Sequence, residues 1–195
     1  MEVAIIDYGA GNIKSLQFAL ERSGVTGHLT ADPEQIKNAD KVIFPGQGAA
    51  QSAMVKLKTH GLDAIIPQLK QPVLGICLGM QLLCDYTEEG GVNGLGIIQG
   101  MVRRFSDQVK VPQMGWNTIS ETQTTLFHGI KDHEFMYLVH SYFVPLLPET
   151  IAVSTYNQAY SVALQKDNFY GVQFHPEKSS KAGQQLLKNF LNLTI

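Results

Sequence analysis

Apolar residues in this chain fall into short unbroken runs separated by stretches of helical spacing. VAIIDYG, near the start, is a continuous apolar run closed by glycine, the pattern of a strand buried on both faces. From Asn12 to Arg22 the apolar positions then repeat at helical spacing, and Ser23-Gly24 supplies a C-terminal stop. KVIFPG repeats the strand, AAQSAMVKLKTHGLDAIIPQL is helical material, and PVLGIC is a further buried strand running into LGMQLLCDYTEE, which reads as a helix. Strands and helices that alternate in this way predict an open, mostly parallel central sheet with helices on both faces.

Past about Gly90 the texture changes. LGIIQGMVRRF, EFMYLVHSYFV, IAVSTYN, SVALQK and FYGVQFHP read as strands of mixed length, some pairing antiparallel through short turns such as Lys166-Asp167-Asn168. They add an antiparallel extension to the parallel sheet. AGQQLLKNFLNL closes the chain as an amphipathic helix. With no repeat, low-complexity tract or Pro/Ser-rich linker, residues 1–195 are expected to form a single domain.

Composition narrows the functional classes. At 195 residues, 44% hydrophobic and only 16% charged, the chain can enclose one core, and disorder is disfavoured. A net charge of −2 offers no clustered basic footprint, so neither nucleic acid nor an anionic membrane is expected as a partner. No apolar stretch approaches the roughly 18–20 residues that span a bilayer. The opening MEVAIIDYG lacks a basic leader, so a cytoplasmic location is expected. Cys77 and Cys84 lie seven apart, a spacing that suits neither a disulfide framework nor a C-x-x-C pair, and both read as free thiols.

The candidate chemistry begins at Cys77. Gly75-Ile76-Cys77-Leu78-Gly79 is the cysteine form of the nucleophile elbow, a sharp strand-to-helix turn that exposes its central side chain. Glycine on both sides lets strand and helix cross closely. The start of a helix favours a thiolate, and the Leu78 N–H would point where an oxyanion forms. A buried structural cysteine is the bland alternative, and it is the reading given to Cys84, placed two turns along the helix among Met80, Leu82 and Leu83.

A nucleophilic cysteine needs a base, and the base needs an orienter. In YGVQFHPEK, His175 and Glu177 stand two apart, so in an extended chain they would share a face, with Pro176 ending the strand at the sheet rim. Open α/β sheets bind ligands at that rim. His28, His60, His128 and His133 lie in loop-like or polar surroundings, whereas His140 follows a strand and can line a pocket. No zinc-type spacing of Cys and His occurs, so no metal site is expected. Pro45-Gly46-Gln47-Gly48 can present a second oxyanion donor beside Leu78, or can be a plain loop with no task. YGAGN fails the G-x-G-x-x-G pattern, so a dinucleotide site fits poorly.

Together GICLGMQLL, PGQG and FHPE resemble the class I glutamine amidotransferases over nearly the whole chain. DYGAGNIKS, PQMGWN, LVHSY and YGVQFHPEKSS are more narrowly similar to glutaminase subunits of imidazole glycerol phosphate synthases. The resemblance implies a Cys77-His175-Glu177 triad that hydrolyses glutamine through a thioester, without a cofactor. It further implies a pocket in which Gly46, Gln47, Gly48 and Leu78 surround the oxyanion. Gln81 and Glu89 hold the substrate's polar end, with Glu89 towards the α-ammonium, and the backbone of His140, Ser141 and Tyr142 completes the wall.

Ammonia must pass to an acceptor, and the hydrolytic fold already occupies about one domain's worth of chain. In the resembled family the acceptor site lies on a (β/α)8-barrel cyclase that forms a heterodimer and makes imidazole glycerol phosphate and aminoimidazole carboxamide ribotide. The matching contact residues here are Asn12, Pro112, Met114, Trp116, Tyr137 and Lys181. Trp116, the one tryptophan, can be an interface anchor or a core residue. The competing readings are a glutaminase for another pathway, such as sugar-nucleotide amidation, a non-catalytic regulatory subunit, and a general cysteine hydrolase.

Overall fold

The computed structural model describes residues 1–9 and 13–194. Asn12, and with it the end of the YGAGN stretch, lies outside the described residues. The chain runs β1 (Val3–Ile6), α1 (Ile13–Glu21), β2 (Gly27–Thr30), α2 (Pro33–Asn38), β3 (Lys41–Phe44), α3 (Ala50–Thr59), α4 (Leu62–Ile65), β4 (Val73–Ile76) and α5 (Leu78–Leu82). It continues through β5 (Cys84–Thr87), β6 (Val92–Asn93), β7 (Ile98–Arg104), β8 (Gln113–Thr118), β9 (Phe135–His140) and β10 (Tyr142–Phe143). The last elements are β11 (Thr150–Tyr156), β12 (Gln158–Lys166), β13 (Phe169–Val172) and α6 (Ser180–Leu191).

Seven strands form the main sheet in the order β11-β12-β13-β4-β3-β1-β2. From β13 to β2 every neighbour is parallel, and β12 and β11 extend the sheet antiparallel. Every residue of β1, β3, β4 and β13 is buried, as continuous apolar runs between two helical layers require. Two hydrophobic clusters result, one on each side of the sheet. Lys166 and Phe169 pair across a two-residue turn in which Asp167 takes a positive φ of 52°, so the hairpin expected there forms. α6 buries Leu186, Leu187, Phe190 and Leu191 along one face, the stripe anticipated from its spacing.

Several elements depart from the periodicity reading. α5 ends at Leu82, and Cys84 opens strand β5, which pairs parallel with β7 and antiparallel with β6. Asp85, Tyr86 and Thr87 disfavour helix, and Tyr86 and Thr87 suit a strand, so Cys84 is buried in a sheet residue's place and not two turns along a helix. β2 and α2 lie between the first two expected units; α2 starts on Pro33, with the Asp32 side chain accepting the Glu34 N–H at 2.8 Å. EFMYLVHSYFV splits at Ser141. β9 pairs with β8 up to His140 opposite Gln113, while β10 joins β7 through Tyr142 opposite Arg104.

Candidate active site

Cys77 sits on the connection from β4 to α5, at the carboxyl end of a parallel strand. Its N–H donates to the Val172 carbonyl at 2.8 Å, so the β4–β13 ladder holds the residue before the chain turns. It then adopts φ 53°, ψ −112°, a conformation that costs a non-glycine residue about 1–3 kcal/mol and recurs at functional sites. A Cβ on Gly75 would lie 2.8 Å from the carbonyl carbon of Gly79, and one on Gly79 would overlap the Phe44 carbonyl oxygen of β3. The two glycines are therefore a steric condition of this crossing. The residue is half-exposed, and its Sγ lies 3.6 Å from Gln173 Nε2 and 3.8 Å from the Val139 carbonyl.

His175 reaches the same place from the end of β13. Its N–H donates to the Tyr137 carbonyl at 2.9 Å, and Ser179 Oγ donates to its carbonyl at 2.7 Å. Nδ1 and Glu177 Oε1 are 2.8 Å apart, with side chains only 3% and 5% exposed. The contact forms differently from the extended pairing expected: β13 stops at Val172, and Pro176–Lys178 make a 3-10 turn that folds the carboxylate back under the ring. Pro176 breaks the strand and opens that turn. Burial pulls the imidazole down, but hydrogen bonding and charge from Cys77 and Glu177 outweigh it and hold His175 well above its ordinary 6.5.

Cys77 and His175 line one cavity of about 440 Å³, and so do all nine residues expected in the substrate pocket. Gly46 packs against Leu78 and Gly79, where any side chain would collide, and this seats the Pro45–Gly48 loop on the elbow. Tyr8 Oη donates to the Pro45 carbonyl at 2.6 Å, and burial raises its phenol so that it stays a neutral donor. Glu89 Oε2 accepts the Ala50 N–H at 2.9 Å at the start of α3; burial raises its carboxyl and this bond opposes the rise. Burial pushes His140 down to about 4, so the ring is neutral. Nδ1 lies 2.7 Å from the Tyr142 carbonyl and must carry the proton. Nε2 then needs a donor, which the Tyr160 hydroxyl at 3.4 Å supplies, or Gln113, whose amide oxygen is placed 3.0 Å away, once its amide is turned to present nitrogen.

The residue types, the turn and the cavity converge with the sequence, which matches the glutamine amidotransferase class-I family over residues 4–193. The chain belongs to that family. It is 54% identical to the imidazole glycerol phosphate synthase subunit HisH of Bacteroides fragilis, covering 99% of this chain and 100% of the relative. It is 45% identical to the protein of the same name from Yersinia pestis, at the same coverage. The crystal structure of a putative GMP synthase subunit from Thermoplasma acidophilum shares the fold, with TM-score 0.76 and 20% identity over 98% of this chain and 92% of that one. So does a glutamine amidotransferase from Thermotoga maritima, with TM-score 0.71 and 16% identity over 98% and 96%.

For this class I amidotransferase the remaining candidates also find their places. His28, His60, His128 and His133 are exposed, and His28 lies on edge strand β2 and not in a loop. Among the described residues no group of three or more His, Cys, Asp or Glu side chains is arranged to hold a metal ion, and no helix is long and apolar enough to cross a membrane. Pro112 lies on the cavity rim, Met114 and Trp116 project from β8, and Lys181 is exposed at the start of α6. Trp116 is 52% exposed and meets the half-buried Tyr137 edge to face at 6.0 Å, which removes the core reading for it. Gln173, fully buried beside the sulfur, was missed. Its one signal is a polar residue two positions before His175 in an otherwise apolar strand end.

Proposed function

We propose that this chain is the glutaminase subunit of an imidazole glycerol phosphate synthase in histidine biosynthesis. The full-length likeness to relatives of that name supports the pathway, and the half-exposed Cys77 at positive φ, facing a cavity shared with His175, carries the chemistry. In this scheme residues 1–195 act as one cytoplasmic glutaminase domain, with no metal or cofactor.

Cys77 attacks the side-chain amide carbon of glutamine. The oxyanion is met by the Leu78 N–H and by backbone donors of the Gly46-Gln47-Gly48 loop. His175 gives its proton to the departing nitrogen, and ammonia leaves as the thioester forms. The neutral imidazole then takes a proton from water, hydroxide attacks the thioester, and the sulfur departs, releasing glutamate. Glu177 holds the ring's orientation and stabilises its cationic form. Gln81, Glu89 and the backbone of His140, Ser141 and Tyr142 bind the substrate, with Glu89 towards its ammonium. Ammonia passes to a separate (β/α)8-barrel cyclase docked on the face bearing Pro112, Met114, Trp116, Tyr137, Lys181 and Asn12.

The test pairs the chain with such a cyclase and its phosphoribulosyl substrate. Cys77→Ala is expected to abolish product made from glutamine while ammonium salts still support synthesis. Undiminished glutamine-dependent synthesis by that variant would overturn the assignment.

A further inference from the structure

The geometry points to Gln173 as a positioning residue: one amide nitrogen holds the nucleophilic sulfur, while its oxygen locks the Gln81 amide so that an acceptor faces the substrate. This deepens the glutaminase reading and rests on it. Gln173 is fully buried, and its Oε1 accepts from Gln81 Nε2 at 2.8 Å. The same Gln81 nitrogen donates to the Tyr142 carbonyl at 3.0 Å. A backbone carbonyl can only accept, so the direction of the whole chain of bonds is set there. Turning Gln81 over would press oxygen against oxygen, and turning Gln173 over would set N–H against N–H. Gln173 Nε2 must therefore face Cys77 Sγ, 3.6 Å away.

Two consequences follow from that direction. The thiol has the Val139 carbonyl at 3.8 Å, a partner for S–H that repels a thiolate, so the Gln173 N–H is what favours the ionised sulfur among these two neighbours. Gln81, with both N–H groups used, offers the cavity it lines an oxygen only. An oxygen there accepts an N–H at the polar end of glutamine that Gln81 shares with Glu89, and offers no donor that would compete for the Glu89 carboxylate.

The test uses the full chain with its cyclase and two variants. Gln173→Leu removes both bonds; Gln173→Glu is nearly isosteric, keeps an acceptor for Gln81 and removes the donor at sulfur. The first readout is the pH profile of Cys77 alkylation by iodoacetamide. His175 with Glu177 behind it, Tyr8, His140, Glu89 and Lys178 surround the sulfur and its cavity, and all stay in place. Both profiles should move to higher pH, Glu further than Leu. In steady state, Leu should lower kcat/KM at least about tenfold and raise the KM for glutamine, whereas Glu should keep KM within about twofold. An alkylation profile of the Leu variant that coincides with wild type, or equal changes in KM for Leu and Glu, would overturn the role. If the wild-type complex consumes no glutamine, the glutaminase reading fails by itself, and the alkylation profiles alone decide Gln173.

Discussion

Glu177 brings a carboxylate into a place where only one of its oxygens finds a partner. Oε1 bonds His175, while Oε2 is buried without a hydrogen bond. A desolvated charge with so little other support is committed to the imidazole beside it, and it favours the protonated ring. Burial alone would lower His175; Cys77 and Glu177 together raise it. Removing the carboxylate's charge therefore lets the ring lose its proton at lower pH. In Glu177→Gln the alkaline limb of the kcat/KM profile should move down in pH, and kcat should fall by up to about ten-thousandfold, as when a triad carboxylate becomes an amide. A limb that stays put would mean that Glu177 only fills space. The meeting of Cys77, His175 and Glu177 was legible because the elbow and the His-x-Glu spacing are local patterns. Gln173 was not, because its role depends on a partner 92 positions away in sequence, Gln81.

At the scale of elements, the site depends on α5 crossing β3 and β4 at a distance that excludes a side chain. Gly79→Ala would drive its methyl into the Phe44 carbonyl, and neither strand can move without losing ladder hydrogen bonds. We expect a loss of about 2–3 kcal/mol in urea denaturation, the range of an overpacked core, together with loss of glutamine hydrolysis. Unchanged stability would show that the elbow can slide. The strands that build this crossing were legible for the same reason that they are rigid: β1, β3 and β4 are buried on both faces and leave unbroken apolar runs. β2 and β5 left no such trace. Each is partly exposed and carries polar residues, so no unbroken apolar run marks it, and such a strand is fixed by the neighbour it pairs with more than by its own residues. The carboxyl end of LGMQLLCDYTEE therefore reads as helix in sequence, although β5 has β6 and β7 waiting on either side.

At the scale of the molecule, burial is complete along β1, β3, β4 and β13 at the centre of the main sheet, yet a region beside the cavity leaves large apolar side chains in solvent. Met114 and Trp116 are 66% and 52% exposed two residues apart on β8, and Phe135 is 54% exposed on the paired strand β9. Strand alternation puts Met114 and Trp116 on one face, and Pro112 carries that face to the cavity rim. Under the proposed function, an apolar patch next to the site that releases ammonia is where the cyclase would dock, with Trp116 as its anchor. Truncating it should cost binding and not folding, because its ring is half in water and its aromatic neighbour is Tyr137 alone among the described residues. Trp116→Ala is thus expected to weaken cyclase affinity about 30-fold, measured by titration calorimetry, the equivalent of roughly 2 kcal/mol for a hot-spot residue. Its unfolding free energy should stay within about 0.5 kcal/mol of wild type. Leu29→Ala is the control: Leu29 is similarly exposed, at 42%, but sits on β2 at the opposite edge of the main sheet from β11, against which Asn117 of β8 bonds the Thr155 carbonyl. Equal losses of affinity from both substitutions would show that exposed apolar area in general drives association, and equal affinities to wild type would place the cyclase elsewhere.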